Sequence, residues 1–134
     1  MTATPDWEKL FAAAGKARQR AYAPYSKFCV GAAALMADGA VFAGCNMENA
    51  SYGLSVCAER HALAGAIGAG SQKLVAMAVV ADGTEPCPPC GVCRQVMAEF
   101  GPASTEVRFR NGAGEERSHT LGELLPHAFG PGFL

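Results

Sequence analysis

The segment Leu74-Val75-Ala76-Met77-Ala78-Val79-Val80-Ala81 is apolar without interruption. A strand with one solvated face alternates polar and apolar residues, so an unbroken run reads as a strand buried on both faces. Such a strand needs a covering layer on each side. The chain around it alternates helix-like and strand-like patterns, which places the fold in the α/β class, a sheet layered with helices. At 134 residues the chain fits one domain, residues 1–134, long enough for a continuous core.

The flanking segments can be placed by the same logic. Thr4 as cap, Pro5 at the first position, and Leu10, Phe11, Ala14 and Ala21 near helical spacing predict a first helix. Its other face carries Lys16, Arg18 and Arg20, read as a solvated face. The apolar runs Phe28 to Met36 and Val41 to Cys45 flank Asp38-Gly39, which predicts a hairpin because glycine tolerates positive φ. A small-residue helix is predicted from about Val56 to Gly68, capped by Ser55 and packing through Ala62, Leu63, Ala66 and Ile67. After the Pro-rich stretch Glu85 to Pro89, a helix from Cys90 to Phe100 puts Cys93, Val96, Met97 and Phe100 on one face and ends at Gly101. Val107 and Phe109 mark another strand, and Asn111-Gly112 begins a turn. Thr120 and Glu123 have capping-box spacing before a short helix closed by Pro126.

Charge and composition narrow the function. Lys plus Arg number 11 against 12 Asp plus Glu, a formal net charge of −1, which argues against a module that binds nucleic acid by neutralising phosphates. Charged residues make up only 17% of the chain, where soluble domains average roughly 25%. That shortage suggests that other subunits cover part of the surface. No apolar run approaches the ~20 residues of a spanning helix, so no membrane partner is expected. Asp6, Glu8 and Lys9 precede any apolar run, so no secretory signal is read and the expected compartment is the cytoplasm. Six cysteines, at 29, 45, 57, 87, 90 and 93, then point to metal ligation or redox chemistry rather than a disulfide framework.

The chemistry concentrates in Cys57-Ala58-Glu59-Arg60 and Pro89-Cys90-Gly91-Val92-Cys93, each at the start of a predicted helix. Unpaired N–H groups and the helix dipole favour thiolates there, and thiolates are soft ligands that suit zinc. Cys57, Cys90 and Cys93 would leave one zinc position open, the mark of a catalytic site. Cys87 forms an overlapping Cys-x-x-Cys pair with Cys90, but Pro88 and Pro89 hold an extended path, so Cys87 is read as a bystander. Cys29 and Cys45, in predicted strands, read as inert buried thiols. Spacing alone also admits a closed Cys₃His structural site, because Cys57 and His61 are four apart on one helix. Glu59, an acid beside the ligand cluster, favours the catalytic reading. Arg60 is placed to offset the negative charge of the sulfurs, and Arg94 is a second candidate for that role.

Cys-x-Glu followed by Pro-Cys-x-x-Cys is the pattern of the zinc deaminases, in which the metal activates water and a non-ligand Glu moves protons. The chain resembles the small, all-cysteine, homotetrameric cytidine deaminases through Ala21-Tyr22-Ala23-Pro24-Tyr25-Ser26-Lys27-Phe28-Cys29-Val30-Gly31-Ala32-Ala33, Gly44-Cys45-Asn46-Met47-Glu48-Asn49-Ala50-Ser51-Tyr52-Gly53, Cys57-Ala58-Glu59-Arg60 and Pro89-Cys90-Gly91-Val92-Cys93-Arg94-Gln95. The resemblance implies a three-layer helix/sheet/helix fold with a mixed, roughly five-stranded sheet. It implies one zinc per chain on Cys57, Cys90 and Cys93, with Glu59 as the proton carrier and Arg60 supporting the sulfurs. The expected reaction is hydrolytic deamination of cytidine or deoxycytidine, a step of pyrimidine salvage. Asn46 and Glu48 would meet the ribose, Phe28 would pack on the nucleoside, and backbone at Ala58 and Cys90 would read the base. Tyr52 and Phe129, with Phe133 as the alternative, would reach a neighbouring subunit's site in a homotetramer. Deamination of another aminopyrimidine such as blasticidin S shares the zinc chemistry, but Asn46, Glu48 and Cys93-Arg94-Gln95 favour a nucleoside. His61 departs from the small hydroxyl residue that the family usually has after its Cys-Ala-Glu-Arg motif.

Overall fold

The computed structural model describes residues 3–134. Its elements run α1 (Trp7–Arg18), β1 (Val30–Met36), β2 (Val41–Cys45), α2 (Ala58–Gly68), β3 (Leu74–Ala81), α3 (Gly91–Phe100), β4 (Glu106–Arg110), β5 (Glu116–Thr120) and α4 (Leu121–Leu124). The strands form one sheet in the order β2-β1-β3-β4-β5. Only the β3–β4 pair is parallel, and the crossover between those strands carries α3. The expected mixed five-stranded sheet is therefore present.

Alternation along the central strands assigns residues to two cores. Ala33 and Leu35 of β1 and Ala76 and Ala78 of β3 pack against Leu10, Phe11 and Ala14 of α1. Ala32, Ala34 and Met36, with Met77 and Val79, face α2 and α3 through Ala62, Leu63, Cys93 and Met97. Small residues in the strands let the helices sit close. Gly31 shows how close: a Cβ there would fall 1.9 Å from the carbonyl oxygen of Ala14. Gly44 does the same on the other face, where a Cβ would stand 2.5 Å from the Ala62 nitrogen. The first turns of α2 are thereby seated directly on β2.

Several expected boundaries move. Asp6, not Thr4, caps α1, its carboxylate accepting from Lys9 N–H at 3.3 Å, and the helix ends before Ala21. The cap of α2 is Cys57 rather than Ser55, whose hydroxyl instead accepts from Asn49 N–H at 3.1 Å. β1 begins at Val30, leaving Phe28 and Cys29 in the preceding loop. Cys29 and Cys45 are half-buried, not sealed in the core. The hairpin turn at Asp38-Gly39 is as expected, with Gly39 at φ 90°. The Thr120–Glu123 capping box is complete in both directions. β5 has no sequence counterpart, because the edge strand Glu116-Arg117-Ser118-His119-Thr120 buries no apolar residue to betray it.

Candidate active site

α2 and α3 begin side by side, and their N-caps are the two cysteines Cys57 and Cys90. Neither side chain makes a capping hydrogen bond, so both sulfurs are free to turn outward past the helix ends. The two sulfurs lie 3.7 Å apart. Cys93, in the first turn of α3, completes a cluster whose three Sγ atoms all lie within 4.8 Å of one another. The thiol of Cys93 hydrogen-bonds Cys57 and brings it down to about 5, with Arg60 adding to the effect. The same contact, with burial adding to it, pushes the Cys93 thiol up.

This donor set fits zinc. Sulfurs bound tetrahedrally to one zinc at about 2.3 Å stand roughly 3.8 Å apart, close to the Cys57–Cys90 separation. Three soft sulfur ligands gathered at two positive helix ends suit the ion's softness. Arg60 lies alongside, its Nη2 donating to the Ser55 carbonyl at 3.0 Å and standing 3.9 Å from Cys57 Sγ. Arg94 turns away from the cluster. Its Nε donates to the Pro89 carbonyl at 2.8 Å and its Nη1 to the Leu124 carbonyl at 2.7 Å, so it pins the strap before Cys90 to α4 and leaves the sulfurs to Arg60.

Glu59 is 4% exposed and has no ion-pair partner among the described residues. Burial pushes its carboxyl up to about 7, and the Cys57 thiolate adds to the shift. Glu59 lines a cavity of about 310 Å³ together with Phe28, Asn46, Glu48, Cys57 and Cys90. Ala58 backs the same cavity with its side chain fully buried. An outer cavity of about 470 Å³ continues from Asn46, Glu48 and Cys57 to Tyr25 and Tyr52. Cys57, Cys90, the proton carrier and the substrate contacts other than Phe129 therefore line adjoining cavities, and Cys93 lies buried behind its two partner sulfurs.

His61 is not in that space. Its Nδ1 lies 3.1 Å from both the backbone N and O of Cys45, and the ring lines a separate cavity with Lys16 and Arg20. The closed Cys₃His site is thereby overturned. The four-residue spacing misled because Cys57 is the cap and not a helical residue, so it does not share a helix face with His61. Cys87 stands outside the sulfur cluster but lines the cavity wall, a thiol that burial pushes up.

Phe28 is 36% exposed at the cavity mouth. Asn46 is tied to the same loop: its Oδ1 accepts from Val30 N–H at 2.9 Å and its Nδ2 donates to the Phe28 carbonyl at 2.8 Å. Glu48 accepts from Tyr25 N–H at 2.9 Å and Ser26 N–H at 3.1 Å. Ser26, which sequence reasoning passed over, also lines both cavities. Its place in the matched Tyr25-Ser26-Lys27-Phe28 run was the available signal. Tyr52 is 75% exposed and meets Tyr25 edge-on at 6.3 Å. Phe129, 58% exposed, stacks on Phe133 at 5.8 Å, and its carbonyl accepts from Gln95 Nε2 at 2.9 Å.

Residues 5–108 match the family model for the cytidine and deoxycytidylate deaminase zinc-binding region. The chain is 56% identical over 124 residues to a cytidine deaminase of Halalkalibacterium halodurans, an alignment covering 92% of this chain and 94% of that one. Its fold superposes on the crystal structure of a Burkholderia pseudomallei cytidine deaminase with a TM-score of 0.89 at 51% identity, covering 93% of this chain and all of the other. The crystal structure of a Mycobacterium tuberculosis cytidine deaminase matches with a TM-score of 0.83 at 43% identity, covering 95% and 99% of the two chains.

Proposed function

From the premise that this chain belongs to the cytidine and deoxycytidylate deaminase family, we infer that it hydrolyses the exocyclic amine of cytidine or deoxycytidine, giving the uridine counterpart and ammonia. One observation carries the assignment of roles: Cys57 and Cys90 of the cysteine triad line the same cavity as a buried glutamate that has no ion-pair partner among the described residues, with Cys93 buried directly behind them. Cys57, Cys90 and Cys93 hold the zinc. The ion supplies Lewis-acid activation of water at neutral pH.

Glu59 does the proton work. Buried and with its carboxyl raised, it takes a proton from the attacking water and delivers it to ring N3, which makes C4 more electrophilic. Once the water oxygen has bonded to C4, the Glu59 carboxylate takes that oxygen's second proton and passes it to the amine, so that the C4–N bond breaks, a C4 carbonyl forms and ammonia leaves. Phe28 stacks on the base, and backbone at Ala58 and Cys90 reads its edge. Asn46 and Glu48 meet the ribose with the lone pairs and protons that their loop contacts leave free. Arg60 offsets the negative charge of the sulfurs.

The active chain is a homotetramer with sites at subunit interfaces, where Tyr52 and Phe129 complete a neighbour's cavity. Their exposure, with Phe133 at 76% as the alternative, supports this. The enzyme serves pyrimidine salvage in the cytoplasm, a compartment that suits six cysteines none of which is in a disulfide. Among the described residues no helix is long and apolar enough to cross a membrane. The direct test follows cytidine absorbance with zinc-loaded protein, with and without a chelator. Turnover should stop on chelation and return with zinc. An unchanged cytidine spectrum with fully metallated protein overturns the assignment.

A further inference from the structure

The loop that carries Phe28 is held by bonds to Glu48 and to itself. Consecutive N–H groups of Tyr25 and Ser26 donate to Glu48 Oε1, at 2.9 Å and 3.1 Å, forming a small nest around a carboxylate. The Ser26 hydroxyl donates to Glu48 Oε2. Its lone pair in turn accepts from Phe28 N–H at 3.0 Å. A hydroxyl can do both at once, since it has one proton and two lone pairs. Between the two sits Lys27 at φ 61°, a conformation that residues with a Cβ seldom adopt. The turn is thus maintained by its hydrogen bonds and not by backbone preference. Just past Phe28 the chain is fixed again, at the Phe28 carbonyl by Asn46 Nδ2 and at Cys29 N–H by Asp82 Oδ2 at 2.9 Å.

We propose that Ser26 is a positioning residue for the reaction, its hydroxyl joining the Glu48 carboxylate to the Phe28 backbone so that the sugar contact and the base-stacking ring are set by one bridge. The inference rests on the assignment of Phe28 and Glu48 as substrate contacts. Removing the hydroxyl takes away both bonds at once. Glu48 loses a partner that orients its second oxygen, and Phe28 loses the bond that fixes its ring over the cavity. Glu59 and the three cysteines stand on α2 and α3 and keep their places, so the loss falls on nucleoside binding and not on the chemical step.

The test is steady-state kinetics on cytidine with zinc-loaded Ser26→Ala and Ser26→Thr, beside Phe28→Ala and Glu48→Gln. Ser26→Ala should raise KM about tenfold with kcat within about twofold of the parent, the scale of losing hydrogen bonds that include one to a charged group. Ser26→Thr keeps the hydroxyl and should recover most of the loss. If Phe28→Ala and Glu48→Gln raise KM while Ser26→Ala does not, the bridge has no role and the proposal fails alone. If those two variants leave KM unchanged, the substrate assignment fails and takes the proposal with it. A fall in kcat that tracks a fall in Tm, with no recovery in Ser26→Thr, marks Ser26 as a general stabiliser and also overturns it.

Discussion

At the scale of single residues, the sharpest question is what Glu59 contributes apart from the metal. It is not one of the metal ligands in the proposed scheme, so Glu59→Gln should keep zinc at one ion per chain, by metal analysis, while kcat falls by ~10² to 10⁴, the usual worth of a positioned acid/base. Wild-type turnover in that variant would remove Glu59 from the mechanism. His61 provides the opposite control. Because its ring is bound to the Cys45 backbone on the far side of α2, His61→Ala should leave zinc content unchanged. These two residues also show what sequence could and could not convey. Cys57, Cys90 and Cys93 were legible because a helix start concentrates N–H groups and the Cys-x-x-Cys spacing keeps its two sulfurs within one turn. The side on which His61 lay was not legible, because Cys57 is the cap with extended backbone, so the four-residue spacing does not direct its side chain beside that of His61. Arg94 departs from its expected role for a related reason: an arginine near the ligands bonds whichever free carbonyls it meets, and Arg94 takes those of Pro89 and Leu124.

At the scale of elements, the site depends on how tightly α2 is pressed onto β2. Gly44→Val inserts a side chain where Ala62 N would lie 2.5 Å from its Cβ and Ala58 O 2.9 Å, so backbone must move and not merely a rotamer. Overpacking of this kind costs about 1–3 kcal/mol. Chemical denaturation should show that loss, and zinc retention should weaken with it because Cys57 and Glu59 ride on the displaced end of α2. A milder element effect concerns α4. Backbone N–H of Thr120 donates to the Glu123 carboxylate and holds its pKa below the ordinary value of 4.5, with the Thr120 hydroxyl adding to this. A folded-state pKa lower than the unfolded one contributes stability that is present above the unfolded pKa and is lost as pH falls through the folded pKa. The stability gap between the parent and Glu123→Gln should therefore narrow on acidification from pH 6 to pH 3, as read by urea titration. A gap independent of pH would show that the cap is structural without being ionic. This box was readable from two letters, Thr and Glu at the right separation. β5, directly before it, was not, because a polar strand at a sheet edge is specified by its neighbour's free hydrogen-bonding groups and not by its own side chains.

At the scale of the whole molecule, the two halves of the proposed substrate contact differ in how they are held. Phe28, Asn46 and Glu48 are locked by hydrogen bonds within the chain, whereas Tyr52 and Phe129 project from the surface with most of their area bare. Large exposed aromatics are costly to leave in water and mark surfaces that other molecules cover. The low charge content of the chain fits the same account, since a subunit with buried faces needs fewer solvated side chains. If Phe129 acts in a neighbour's site, Glu59 and Phe129 of one functional site come from different chains. Glu59→Gln and Phe129→Ala proteins should then each be weak alone, yet regain activity when unfolded together and refolded as mixed oligomers. Sites that take Glu59 from a Phe129→Ala chain and Phe129 from a Glu59→Gln chain would be intact. Light scattering on the same mixtures should give a mass of four chains. Activity that never exceeds the average of the two separate variants would place Phe129 in its own chain's cavity or outside the site altogether, and Phe133→Ala in the same pairing would then decide whether the second ring of the stacked pair is the one that crosses.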